Sequence, residues 1–254
     1  MGRTVVSAGR RPAAGHLVVI SPHLDDAVLS GWSFLRAAKR ATVITVCAGI
    51  AAGPPADYDR LTRADDPAAR CRARREEDRR VMTGHGWSPI HLDVLDAPYR
   101  TPATTSDPAV IAAAIATRLP ADATHLLIPA GIGSHEDHLL ARDAALLLDR
   151  SGLEAHVMAD YPYAAVYGWP GWVLGEADPE HLAPEADWDR ALSAIRPLLG
   201  DPRVVHLPDD EQAAKLAAFR GYATQWDAIE GGPSRLVSHP RRIQYEVAWP
   251  ILAP

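Results

Sequence analysis

Short β-branched runs that alternate with helical patterns constrain this chain more than any other feature. His16–Ile20 (HLVVI) is apolar, too short for a buried helix, and stops at Ser21-Pro22, as a strand covered on both faces does. A helical pattern follows to about Arg40, with Val28, Leu29, Trp32, Leu35 and Ala38 on one side and Asp25 or Asp26 placed to cap it. Thr42–Cys47 is the next strand, and a strand, helix and strand joined in this way form a parallel pair with a right-handed crossover. The alternation continues through helix Arg70–Gly84, a strand near Ile90–Val94, helix Pro108–Leu119, strand Thr124–Ile128, helix His138–Arg150 and strand Ala155–Met158. Helix Asp187–Leu198, strand Arg203–His206, helix Asp209–Trp226 and a strand near Ile243–Val247 complete it. The fold expected is α/β, a three-layer sandwich with a mostly parallel, Rossmann-like sheet.

At 254 residues the chain can hold a sizeable core without disulfides, and we expect a short leader over 1–15 and a single domain over 16–254. A net charge of -6 and the lack of a basic stripe argue against a nucleic-acid partner. The arginines between Arg70 and Arg80 are interleaved with Glu76, Glu77 and Asp78, which reads as a solvated helix face. No 18-residue apolar stretch and no signal-peptide core occur, so a cytoplasmic protein with no membrane partner is expected, and two cysteines make no disulfide framework. Ala48–Asp66 reads as a long loop at the carboxyl end of the second strand. Asp160–Pro184, with Tyr161, Tyr163, Tyr167, Trp169 and Trp172, suits a pocket wall or lid, although half of these aromatics are expected in the core.

Two stretches place metal-competent side chains directly after expected strands: Ser21-Pro22-His23-Leu24-Asp25-Asp26 and Gly133-Ser134-His135-Glu136-Asp137-His138. Strand ends line the crevice of an open α/β sheet, so the two can meet. His23 and Asp26, three apart at a helix start, could join His138 in a two-His, one-carboxylate set with positions left for water and substrate, the pattern of a catalytic Zn2+. Fe2+ can share such a set. Asp25 would then be free to act as base, His135 to stabilise an oxyanion or protonate a leaving group, and Asp137 to orient a histidine. The competing reading makes Asp25, Asp26 and Asp137 ordinary first-turn residues that favour a helix N-terminus. Two such clusters at two strand ends favour the metal reading. Asp96, Tyr99 and Arg100 could hydrogen-bond sugar hydroxyls or simply form a turn around Pro98. His85, His91, His125, His156 and His206 lack ligand spacing and read as structural. No dinucleotide fingerprint, P-loop or nucleophile elbow is present.

The motifs resemble those of the PIG-L, or LmbE-like, N-acetylglucosaminyl deacetylase superfamily, which carries Pro-His-Pro-Asp-Asp-Glu after its first strand and a later His-x-Asp-His. Here the first motif is Pro22-His23-Leu24-Asp25-Asp26-Ala27 and the second His135-Glu136-Asp137-His138, so Leu24 replaces a proline and Ala27 a glutamate. Arg74 and Glu77 match the family's Arg-x-x-Glu helix, Asp96 its substrate-contacting aspartate, and Lys215, Tyr222 and Gln225 a late Lys…Tyr-x-x-Gln signature. The resemblance implies zinc on His23, Asp26 and His138, Asp25 as general base, His135 as electrophilic or acid partner, and Arg74 and Asp96 near the substrate. It further implies hydrolysis of the acetyl amide of an N-acetylated amino sugar or sugar-bearing metabolite. An amidase for larger acyl or thiol-conjugate groups and a non-catalytic sugar-binding domain are the alternatives. The alanine- and arginine-rich composition suits a high-GC bacterium, where a thiol precursor, a thiol conjugate and an acylated antibiotic glycoside are all candidate substrates.

Overall fold

The computed structural model describes residues 4–7, 15–61, 64–104, 106–178, 180–230, 235 and 237–252. Eight strands among them form one sheet: β1 (Thr4–Ser7), β2 (His16–Ser21), β3 (Arg40–Thr45), β4 (Ser88–His91), β5 (His125–Pro129), β6 (Glu154–Met158), β7 (Arg203–His206) and β8 (Tyr245–Pro250). Their spatial order is β1-β7-β8-β6-β5-β2-β3-β4. Every pairing is parallel except those of β8, which runs antiparallel between β6 and β7. All six residues of β2 are buried, and successive side chains on a strand point to opposite faces, so both faces are covered. The expected α/β sandwich with a mostly parallel sheet is therefore the observed one.

The helices packed around the sheet are α1 (Asp26–Ala37), α2 (Asp57–Leu61), α3 (Pro67–Gly84), α4 (Pro108–Ala116), α5 (Glu136–Leu146) and α6 (Tyr163–Tyr167). They continue as α7 (Gly171–Leu174), α8 (Pro184–Leu192), α9 (Asp209–Phe219), α10 (Ala223–Glu230) and α11 (Pro240–Ile243). None is long and apolar enough to cross a membrane.

Several expectations change. Thr4–Ser7, placed by sequence within a leader, adds a strand to the β7 edge, because Thr-Val-Val is a β-forming run that can use free backbone groups there; residues 1–3 and 8–14 of that stretch lie outside the described ones. The long loop Ala48–Asp66 carries helix α2. The single helix expected over Asp209–Trp226 is two, α9 and α10, separated at 220–222. The aromatic segment after β6 is mostly core: Tyr161 and Trp169 are buried, and Trp169, Trp172 and Trp249 surround the Trp188 ring at centroid distances of 5.6 to 5.9 Å.

Trp188 is 1% exposed, and its Nε1 donates to the Gly168 carbonyl at 2.9 Å. Truncating so large a buried ring leaves a cavity and an unpaired carbonyl, so Trp188→Ala should cost about 3–5 kcal/mol of stability, read as a lower denaturant midpoint with little change in slope.

Candidate active site

The chain adds strands outward from β2 to β3 and β4, then returns to the other side of β2 with β5 and β6. Such a reversal leaves a crevice at the carboxyl ends of the strands. A cavity of about 240 Å3 lies there, lined by His23, Asp25, Asp26, His135, Asp137 and His138, and by Arg74, Asp96, Pro98, Pro162, Tyr163, Gln225, Ala228 and Ile229. The two motifs do meet.

Asp25 occupies the N-cap position of α1, where its carbonyl accepts from the amides of Val28 and Leu29, but its carboxylate makes no capping bond. It is buried and faces the cavity. Ser21 Oγ stabilises the turn instead, donating to the His23 carbonyl at 2.6 Å and accepting from the Ala27 amide at 3.1 Å. Asp26 folds back onto the turn: its Oδ2 accepts from the His23 amide at 2.9 Å and lies 3.1 Å from His23 Nδ1 and 3.2 Å from His138 Nε2. Helix capping thus explains neither carboxylate.

On the other side, β5 leads into a loop with Gly133 at φ +93°. A Cβ there would also come within 2.5 Å of the Tyr163 ring, so glycine is needed for both conformation and approach. The loop delivers His135 as N-cap of α5, its Nδ1 accepting from the Asp137 amide at 3.3 Å. That arrangement leaves the ring proton on Nε2. Asp137, fully buried, accepts from His23 Nε2 at 2.9 Å and the Ala97 amide at 3.0 Å, and is clamped by Arg100. Asp160 follows β6; its Oδ1 lies 2.7 Å from His138 Nδ1 and its Oδ2 accepts from the Ile132 amide at 2.8 Å.

These outer contacts fix both tautomers. In the neutral forms that a metal needs, His23 gives Nε2–H to Asp137 and His138 gives Nδ1–H to Asp160, which leaves the lone pairs of His23 Nδ1 and His138 Nε2 converging on Asp26. His138 Nε2 is buried and has no hydrogen-bond partner, since the approach of Asp26 lacks hydrogen-bond geometry. The ligand atoms of His23, Asp26 and His138 lie within 4.8 Å of one another. Two nitrogen lone pairs facing a carboxylate in a buried site would repel, so either the imidazoles take up protons or a divalent cation among them satisfies all three. His23, His135 and Asp137 also lie within that distance, but Arg100 already neutralises Asp137. The first group is the one that fits a divalent metal.

Burial opposes charge throughout the cluster. It alone would lower His138, yet Asp26 and Asp160 raise that histidine to about 9, and Asp137 and Asp26 likewise carry His23 well above its usual value. Against burial, the same contacts hold Asp26 and Asp137 well below the usual carboxylate range. Asp25 goes the other way: burial and the charge of Asp26 push it up to about 6, with Arg74 and His23 pulling against them. His135 is lowered by burial and by the neighbouring His23, which keeps it a neutral donor.

Not every expected residue reaches the cavity. Arg74 and Asp96 line it as an ion pair at 2.8 Å, and Gln225 lines it from α10. Arg100, expected at the substrate, is instead turned inward onto Asp137 and the Leu95 carbonyl; a buried carboxylate is a stronger partner for guanidinium than open solvent. Tyr222 donates to buried Asp78, which also holds His91 at 2.7 Å, and Lys215 pairs with Glu246, so both residues lie outside the lining. Glu77 accepts from the amide and hydroxyl of Thr224 and so ties α3 to the start of α10. Of the expected aromatics, Tyr163 alone among the described residues lines the cavity. Asp160 escaped the sequence reading, and its one signal was its place two residues past a buried strand.

No protein-family model and no curated protein match the chain. Solved structures do. The antimicrobial reagent A40926 pseudoaglycone deacetylase Dbv21 is 28% identical, with 94% of this chain and 98% of that one covered at a TM-score of 0.68. A triple mutant of a deacetylase involved in the teicoplanin biosynthetic pathway is 26% identical, covering 93% and 98% at 0.67. In fold and in both motifs the chain resembles the PIG-L, or LmbE-like, deacetylases. Another structure of a deacetylase in the teicoplanin biosynthesis pathway, a complex, is 25% identical with the same coverage at 0.68. The PIG-L-type similarity thus spans nearly the whole chain.

Removing the anion that orients a metal-binding imidazole typically weakens metal binding about 10- to 100-fold. Asp160→Asn should do so here, measured by competition with a chelator, because the amide cannot hold His138 Nδ1–H with the same charge.

Proposed function

We propose that this PIG-L-type protein is a zinc-dependent hydrolase that removes the acetyl group from the amide of an N-acetylated amino sugar carried on a larger metabolite. The observation that carries the reading is the convergence of His23, Asp26 and His138 on one point, with uncapped Asp25 and neutral His135 beside it. Two similar structures, the A40926 pseudoaglycone deacetylase and the deacetylase of teicoplanin biosynthesis, support a glycosylated antibiotic precursor as the substrate class.

Zinc held by His23, Asp26 and His138 would supply Lewis acidity toward an amide carbonyl and a water molecule. Asp25 takes a proton from the attacking water; its raised pKa brings it nearer the working pH than an ordinary aspartate, as efficient proton transfer requires. His135 donates Nε2–H to the carbonyl oxygen as negative charge develops there, and its lowered pKa keeps that donor neutral before reaction. The proton on Asp25 then passes to the departing nitrogen as the C–N bond breaks, which yields acetate and a free amine. Asp137 and Asp160 keep the two imidazoles aimed, and Arg100 supports Asp137 from behind. Arg74, Asp96 and Gln225 offer polar groups to sugar hydroxyls, while Pro98, Tyr163, Ala228 and Ile229 offer apolar surface to the ring or its aglycone. A cavity of about 240 Å3 takes one sugar-sized group, so the rest of the metabolite stays outside.

Protein purified without added metal should hold about one zinc per chain by mass spectrometry, as a catalytic site requires, and His138→Ala should hold none. Asp25→Ala should keep its zinc and lose roughly 10^2- to 10^4-fold in amine release from N-acetylglucosaminyl glycosides. Equal metal in wild type and His138→Ala, or an active Asp25→Ala protein, would overturn the assignment. A base must be deprotonated to act, so kcat/KM should rise with pH along an acidic limb. That limb lies at or below about pH 6, because a bound cation lowers Asp25 further, and it should vanish in Asp25→Asn.

A further inference from the structure

Helix α1 breaks one turn beyond the site. Gly31 leaves the helical region at φ -122°, ψ 20°, and the next two amides turn to a side chain from a distant strand. The Trp32 amide donates to Glu246 Oε1 at 3.0 Å and the Ser33 amide to Glu246 Oε2 at 2.9 Å. Glu246 lies on β8 and is buried; Lys215 on α9 meets it with Nζ at 2.8 Å. Lys215 is fully buried as well, and its Nζ stands 5.3 Å over the Tyr161 ring.

A buried ion pair needs an explanation other than stability, since apolar residues of similar volume often stabilise as well or better. What apolar residues cannot do is accept two consecutive backbone amides and so restart a helix, as an N-cap does. Glu246 does this for the second half of α1, and Lys215 supplies the countercharge. The bend is enclosed: a Cβ on Gly31 would stand 3.0 Å from Leu127 Cδ2 and 3.4 Å from Met158 Sδ, on the two strands whose ends carry His138 and Asp160. Ser30 Oγ accepts from the Tyr161 amide at 3.0 Å, one residue past Asp160. The turn that carries Asp25 and Asp26 is therefore fixed against β5 and β6 from the same place where the helix breaks.

We propose that the Glu246–Lys215 pair is a positioning device that breaks α1 at Gly31 and thereby sets the direction in which Asp25 and Asp26 enter the cleft. It rests on the reading of His23, Asp26 and His138 as metal ligands. Neither Glu246 nor Lys215 lines the cavity, so both act through the helix.

Cobalt-substituted protein tests this, because the visible absorption of Co2+ reports the geometry of its ligands. Wild type, Glu246→Gln, Lys215→Met and Gly31→Ala are loaded with Co2+ and examined for cobalt content, spectrum, kcat and KM. Glu246→Gln turns one acceptor into an amide NH2 donor, while Gly31→Ala sets a Cβ 3.0 Å from Leu127 Cδ2 and so disturbs the bend without altering any charge. We expect one Co2+ per chain in all four proteins, shifted absorption bands in the three variants, and kcat lowered about tenfold or more with KM within about twofold, as misaligned catalytic groups produce. Wild-type spectra and kcat in folded Glu246→Gln would overturn the proposal even if its Tm fell, since the pair would then serve packing alone. Should either charge variant fail to fold, Gly31→Ala decides, and an unchanged spectrum and kcat there overturn the proposal. Absence of cobalt from wild type would instead defeat the metal reading itself, and positioning with it.

Discussion

Four carboxylates, those of Asp25, Asp26, Asp137 and Asp160, are buried around the imidazoles of His23 and His138. An ionised carboxylate removed from water is tolerated only when donors or cations replace its hydration, and that requirement organises the cleft. Asp137 takes an imidazole N–H, a backbone amide and a guanidinium; Asp160 takes an imidazole N–H and a backbone amide. Asp26 has the His23 amide and faces two imidazole edges, a set completed either by protons on those imidazoles or by a dication. Asp25 is the member whose burial Arg74 and His23 offset only in part, and beside Asp26 its pKa rises accordingly. The proposed ligand, base and orienting roles would thus separate among aspartates of identical chemistry by what surrounds each one.

The sheet makes that arrangement possible. Parallel strands β2, β5 and β6 end at one level, so three short connections deliver His23 to Asp26, His135 to His138, and Asp160 into the same volume. Helices further out shape the opening. Glu77 holds Thr224, and with it the start of α10, so that Gln225, Ala228 and Ile229 face the cavity, while the Arg74–Asp96 pair joins α3 to the segment after β4. Tyr99 hydroxyl donates to Asp59 at 2.6 Å and so ties that segment to α2 in the preceding long loop.

Much of this was legible in the residues. The strands of the parallel core stand out because short β-branched runs end at Gly, Pro or Asp, and the two motifs stand out because their polar groups crowd directly behind those runs. Isolated contributors did not. Asp160 is a single aspartate with no spacing partner, and its role exists only because β6 lies beside β5. Arg100 was legible as a residue near the crevice, but sequence carries no information about whether a side chain turns outward to ligand or inward to Asp137. The direction of β8 was equally hidden, since an apolar run reads the same in either direction, and the β1 pairing depends on an edge that only β7 supplies.

The antiparallel strand also bears on how the molecule assembles. Glu246 reaches the Trp32 amide across 214 positions, so one half of helix α1 can acquire its cap only after β8 has been synthesised and has slotted between β6 and β7. Contacts of such separation form late, because the entropy of closing the intervening loop has to be overcome first. Nascent chains emerging from the ribosome therefore hold both motifs long before Glu246 can cap the second half of α1.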